Sequence, residues 1–200
     1  MAWAQKVLDH CTDTDNTALE SHTPDLGSGY TADVQSLAIF SNRIYGDGAN
    51  YSFFRNSTTL GNKQYAQIKI IDRTIIPGVW ICAGFSGGNA TGYILREFDV
   101  VQLELLKFTG SGTSTTSLGT YTAAANNDTI RAEHDGVNTL TAYKNGASQG
   151  SVTESTYIGG QSGITAYLGI SAADDFEAGD DVASQPPYQP QYLQAPVMAQ

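Results

Sequence analysis

The sequence predicts an all-β fold of short antiparallel strands, a sandwich or a barrel. Three observations carry this. Only 15% of the residues are charged, with 21 Gly, 11 Tyr and 7 Phe against 2 Met. That profile suits strands and tight turns rather than a helical bundle. Apolar residues alternate with polar ones along several runs of about six residues. Two tight-turn dipeptides, Asp135-Gly136 and Asn145-Gly146, stand ten residues apart, the spacing of a meander.

The runs follow one another along the chain. In 65–70, Ala66, Ile68 and Ile70 fall on one face, with Tyr65, Gln67 and Lys69 on the other. Val79, Ile81, Ala83 and Phe85 then alternate with Trp80, Cys82 and Gly84, and Val101, Leu103 and Leu105 with Gln102, Glu104 and Leu106. Ile130, Ala132 and His134 alternate with Arg131, Glu133 and Asp135, and a further strand is expected over 139–144. Clusters of Gly, Ser, Thr, Ala and Asn over 86–91, 109–117 and 123–128 predict loops. No window of eleven residues carries a 3.6-residue apolar period, and no stretch approaches the roughly 18 apolar residues of a membrane span.

The pattern supports one β domain over 1–181. Residues 182–200 differ: they carry no charge and hold four of the six prolines. Proline disrupts strand ladders and favours polyproline II, so this segment is expected to be an extended tail. Its apolar members Tyr188, Tyr192, Leu193, Val197 and Met198 are the candidate partner-binding residues.

Ten basic against twenty acidic side chains give a net charge of −10. Such a chain repels phosphate backbones and anionic membranes, which argues against a nucleic-acid or membrane partner. Cys11 and Cys82 are the only cysteines; without a CxxC spacing they are expected as free thiols. The opening Met-Ala-Trp-Ala-Gln-Lys has no apolar core of the secretory type, so no signal peptide is expected.

The order of phrases resembles the laminin-G-like, concanavalin-A-like jelly rolls, in particular those of phage and viral structural proteins. It is carried by 21–30, 39–45, 64–70, 78–84, 92–96, 103–108, 128–146, 163–167 and 174–176. The resemblance implies two antiparallel sheets packed face to face. It further implies a non-enzymatic virion subunit, a capsid decoration protein made in the host cytoplasm. Such a subunit would attach to a major capsid or other virion protein, or to further copies of itself, through its tail and sheet edges. The alternative is a carbohydrate-binding, lectin-like adhesion module, with Trp80 as the glycan platform and surface glycans as partners.

Catalytic chemistry finds little support. Sandwich glycosidases resemble one another in carrying acids at alternate positions of one strand, so that two carboxylates share a face. Here Glu97 and Asp99 would share one, but position 101 is valine. His10, His22 and His134 lie in no nucleophile context. No cofactor is expected. Calcium binds many laminin-G-like modules, and Asp174, Asp175 and Asp180, in an acid-rich run, are its candidate ligands.

Overall fold

The computed structural model describes residues 2–34, 37–46, 51–73, 77–86, 89–110, 114–167 and 172–181. Among these, sixteen strands form two antiparallel sheets. The nine-stranded sheet contains β1 (Trp3–Asp9), β2 (Thr17–Ala18), β4 (Leu37–Ile39), β5 (Ile44–Gly46) and β7 (Lys63–Asp72). It is completed by β12 (Thr129–Asp135), β13 (Thr139–Lys144), β14 (Ala147–Thr153) and β16 (Ala172–Asp181). Its order is β14-β13-β12-β7-β16-β5-β4-β2, with β1 also paired to β16. The seven-stranded sheet contains β3 (Tyr30–Val34), β6 (Tyr51–Leu60), β8 (Gly78–Ser86) and β9 (Asn89–Phe98). With β10 (Gln102–Gly110), β11 (Thr115–Thr122) and β15 (Gly160–Tyr167), its order is β11-β10-β9-β8-β15-β6-β3.

The period-2 pattern builds the layer between the sheets. Ala66, Ile68 and Ile70 of β7, Ile130 and Ala132 of β12, and Phe176 and Ala178 of β16 face Val79, Ile81, Tyr93, Leu95, Leu103 and Leu105 in one core. Both predicted turns form. Asn145 and Gly146 take φ of 50° and 76°, the left-handed pair that a two-residue hairpin requires. At the other, Asp135 Oδ1 accepts the N–H groups of Val137, Asn138 and Thr139 at 2.8, 2.9 and 2.9 Å. Burial opposes the ionisation of Asp135, but these bonds hold its carboxyl far below the usual carboxylate range.

Three expectations need correction. The alternation over 79–85 breaks at Cys82, which has φ of 50° at a register shift between Ile81 and Gly84. Cys82 therefore turns inward with Val79 and Ile81, while Ala83 and Phe85 join Trp80 on the opposite face. Val101 lies in the β9–β10 turn and is exposed rather than on the core face. The predicted loops at 86–91 and 109–117 are shorter than expected, because β8, β9, β10 and β11 extend into them. Cys11 and Cys82 are buried free thiols, and burial pushes the Cys82 thiol up to about 12.

Candidate functional site

The exposed face of the nine-stranded sheet gathers the side chains that alternation turns away from the core. Register aligns them in two rows. Tyr143 pairs with Arg131, Arg131 with Gln67, and Gln67 with Glu177. One step along, Thr141 pairs with Glu133, Glu133 with Tyr65, and Tyr65 with Gly179. Trp3 enters over them from β1, which adds to β16 with Trp3 opposite Asp181.

A stacked cluster results. The Arg131 guanidinium lies 3.8 Å from the Tyr65 ring centroid and 5.2 Å from that of Trp3. The two rings meet edge to face at 5.1 Å, and Lys63 Nζ stands 5.1 Å from the Trp3 ring. Cations over aromatic faces are held by the ring quadrupole, which fixes the indole and the guanidinium together. Arg131 Nη2 donates to Glu133 Oε1 at 2.6 Å, while Arg131 Nε is buried without a hydrogen-bond partner. The Tyr65 hydroxyl donates to Glu177, as does Gln67 Nε2 at 3.1 Å. Burial first, then the Glu177 carboxylate, push the Tyr65 hydroxyl up, so it stays a donor.

Beside this cluster lie two cavities that share Trp3, Glu133 and Tyr143. One, of about 310 Å³, is lined also by Gln67, Thr129, Arg131 and Gly146. The other, of about 270 Å³, is lined also by Lys63, His134, Asp135, Thr139 and Thr141. Together they make a groove of the size that takes a small polar ligand. Half-buried Trp3 and Tyr143 give it aromatic surface. Amide, hydroxyl, guanidinium and carboxylate groups ring that surface.

The residues singled out from the sequence lie elsewhere. Trp80 is fully buried, and its Nε1 donates to the Thr91 carbonyl at 3.0 Å. An indole sealed in this way cannot serve as a glycan platform, so that expectation is corrected. Alternation does place Trp80 on the outer side of its sheet, but that side is an apolar cluster, not a wet surface. Glu97 is buried on the core side of β9, where its Oε2 accepts the Ala124 N–H at 2.8 Å. Asp99 sits in the following turn with φ of 51°. The two acids therefore share no open face.

Of the calcium candidates on β16, Asp180 stands apart from the adjacent Asp174 and Asp175. Asp180 Oδ2 accepts the Gly61 N–H at 3.0 Å, and Asp175 pairs with Lys69 at 3.9 Å. Asp174 accepts the Asp175 N–H. Among the described residues no group of three or more His, Cys, Asp or Glu could hold a metal ion. Tyr188, Tyr192, Leu193, Val197 and Met198 lie outside the described residues.

Trp3 and Arg131 are the site residues that sequence reading missed. Trp3 stands on β1, whose Val7 and Asp9 the structure buries, but no local pattern in 3–9 marks it as a binding residue.

No protein-family model matches the sequence, and no curated protein matches it. Solved structures do. The carbohydrate-binding module CBM66 from Bacillus subtilis is similar with a TM-score of 0.63 at 14% identity, over 77% of this chain and 97% of that one. The β-glucanase of Bacillus licheniformis gives 0.54 at 11% identity, over 87% and 97%. The carbohydrate recognition domain of Emp47p gives 0.52 at 10% identity, over 90% and 97%. The fold is thus an antiparallel β-sandwich of the jelly-roll kind that these structures share. None of these three is described as a virion component. At such identities the likeness defines the fold, and function has to be argued from the site.

Proposed function

We propose that this protein is a carbohydrate-binding module whose ligand lies in the groove around Trp3, Arg131 and Tyr143. The observation that carries this reading is the clamped Trp3 indole, held against Tyr65 at 5.1 Å and flanked by Arg131 and Lys63. A sugar ring offers an apolar C–H face and a rim of hydroxyls. A fixed aromatic surface ringed by hydrogen-bonding groups complements both. Rigid anchors also reduce the entropy lost on binding.

Two carboxylates border the groove, but each is already engaged. Glu133 accepts from Arg131, and Asp135 from the N–H groups of Val137, Asn138 and Thr139. Neither is positioned as an isolated acid, so the groove binds sugar without cleaving it. Two of the named neighbours, carbohydrate-binding by description, support the sugar-binding part of this reading.

The test is a glycan array followed by calorimetric titration of the strongest ligand. Trp3→Ala is expected to weaken binding at least about tenfold, a loss of about 1.4 kcal/mol, and Tyr143→Ala to weaken it as well. No sugar release is expected from any bound polysaccharide. A folded protein that binds nothing across the array, or binding indifferent to Trp3→Ala, overturns the assignment.

A further inference from the structure

The groove around Trp3 follows the strands beneath it. Along β12, alternation turns Thr129, Arg131, Glu133 and Asp135 away from the core. Along β13 it turns Thr139, Thr141 and Tyr143 the same way, with Tyr143 beside Arg131 and Thr141 beside Glu133. The larger cavity takes the Thr129–Arg131–Glu133 part of this row, with Tyr143 and Gly146. The smaller takes the Glu133–Asp135 part, with Thr139, Thr141 and Tyr143.

The cavities are therefore consecutive along one furrow. From Thr129 to Asp135 it follows the seven residues of β12, about 20 Å at the rise of a strand. One end lies at the β13–β14 turn with Gly146, the other at the β12–β13 turn with Asp135. β7 lies on the other side of β12, with Gln67 opposite Arg131 at one cavity and Lys63 opposite Asp135 at the next. The Trp3 indole, packed on Tyr65, lines both. Volumes of about 310 and 270 Å³ stand near the lower end of the range for small-molecule sites, which suits one ring-sized unit in each.

We propose that the ligand of this groove is an uncharged glycan chain laid along β12 and β13, with consecutive sugar units in the two cavities on either side of Trp3, Glu133 and Tyr143. This inference rests on the carbohydrate reading and specifies its ligand.

Shape supports the chain. A single sugar fills one cavity and leaves the other to water, whereas two linked units use both and share the Trp3 and Tyr143 surface at the waist. The second unit then adds contacts without a second loss of translational and rotational freedom.

Charge supports the neutral ligand. Four ionic side chains line the furrow, Lys63 and Arg131 against Glu133 and Asp135. They are matched in number and engaged. Arg131 lies on Tyr65 and donates to Glu133 at 2.6 Å. Lys63 Nζ stands over Trp3, and three backbone N–H groups hold Asp135. A uronate or sulfate would have to take Arg131 from Glu133 or stay unpaired, and either is unfavourable in a half-buried site. It would also approach a chain of net charge −10. A sugar hydroxyl both donates and accepts, so it bonds to either member of an ion pair and leaves the pair intact.

The experiment is affinity electrophoresis of the full chain through gels holding soluble polysaccharides. Neutral gels contain β-glucan, fructan, mannan or xylan; acidic gels contain polygalacturonate, alginate or chondroitin sulfate. Retardation is expected in a neutral gel and in no acidic one. Calorimetry then compares one-, two- and three-unit oligomers of the polymer bound. The two-unit oligomer is expected to bind about tenfold or more tighter than the monosaccharide. Gln67→Ala and Lys63→Met, one in each cavity, are both expected to weaken the two-unit oligomer, while the monosaccharide responds to only one of them. Equal affinity for one unit and for two overturns the inference. So does retardation by acidic polymers alone; if Trp3→Ala abolishes that retardation, the groove assignment survives without this ligand. No retardation in any gel removes the carbohydrate reading and this inference with it.

Discussion

The ring of His22 bridges two carboxylates, with Nε2 2.8 Å from Asp9 Oδ1 and Nδ1 3.2 Å from Asp13 Oδ2. Asp9 is fully buried at the end of β1. It also accepts the Cys11 N–H at 2.6 Å and the Tyr30 hydroxyl at 2.7 Å. The carboxylate is therefore enclosed by donors, and the two acceptors of His22 call for a proton on each ring nitrogen.

Burial alone would lower the basicity of His22, but its hydrogen bonds to Asp9 and Asp13 outweigh this and raise it above the ordinary 6.5. A base whose folded value exceeds its unfolded value binds the proton more tightly in the folded state. Its contribution is complete below about pH 6.5 and is lost as pH rises through the raised value. Urea midpoints between pH 6 and 9 should therefore fall for the wild-type chain and flatten in His22→Gln. His22→Ala, which strands a buried carboxylate, is expected to cost about 3 kcal/mol. An unchanged pH profile in His22→Gln refutes the charged bridge.

The two tryptophans should respond unequally to truncation. Trp80→Ala removes a fully buried indole and its bond to Thr91, which costs about 3–5 kcal/mol for a core aromatic. Trp3 is half-buried, and Trp3→Ala is expected to cost about 1 kcal/mol, through its contacts with Tyr65 and Arg131. Denaturant melts of the two variants decide this. Equal losses would place Trp3 in the structural core instead of the binding surface.

The fold was largely legible because short strands with one dry face imprint a period of two. The outward positions of Tyr65, Gln67, Arg131 and Glu133 followed from Ala66, Ile68, Ile130 and Ala132 pointing inward. The placement of Trp3 did not, since it depends on β1 pairing with β16 across nearly the whole chain. Local pattern carries no signal for so remote a pairing. Trp80 fails for another reason: alternation assigns a face, but whether that face is wet depends on what lies over it. The bulge at Cys82 was hidden because a single extra residue reverses the pattern without any change in composition.

Glu97 is a buried acid whose Oε1 has no hydrogen-bond partner. Burial pushes its carboxyl above the usual carboxylate range, and the Ala124 N–H, Arg73 and Lys144 only partly offset the rise. A carboxyl raised in this way favours the folded state while protonated, so stability declines as pH climbs from its unfolded value through the folded one. Glu97→Gln removes that slope. The amide replaces one unpartnered buried group with another, so stability at pH 7 should change by less than about 1 kcal/mol. Thermal melts from pH 4 to 8 on both proteins check the slope. A large loss in Glu97→Gln at every pH would mean that the charged form supports the core.

Gly179 links the groove to the backbone beneath it. It pairs with Tyr65 on one side and Gln5 on the other. A Cβ there would come within 2.1 Å of the Ala4 carbonyl oxygen and 2.8 Å of Tyr65 Cε1. The first contact is with backbone and cannot be relieved by a rotamer change, so Gly179→Ala must push β1 away from β16. Trp3 travels with β1, and the indole then loses its place against Tyr65 and Arg131. The expected result is a strain cost of about 1–3 kcal/mol together with loss of sugar binding as severe as in Trp3→Ala. Full affinity in a folded Gly179→Ala protein would show that the ligand does not depend on the position of Trp3, and the groove assignment would fall with it.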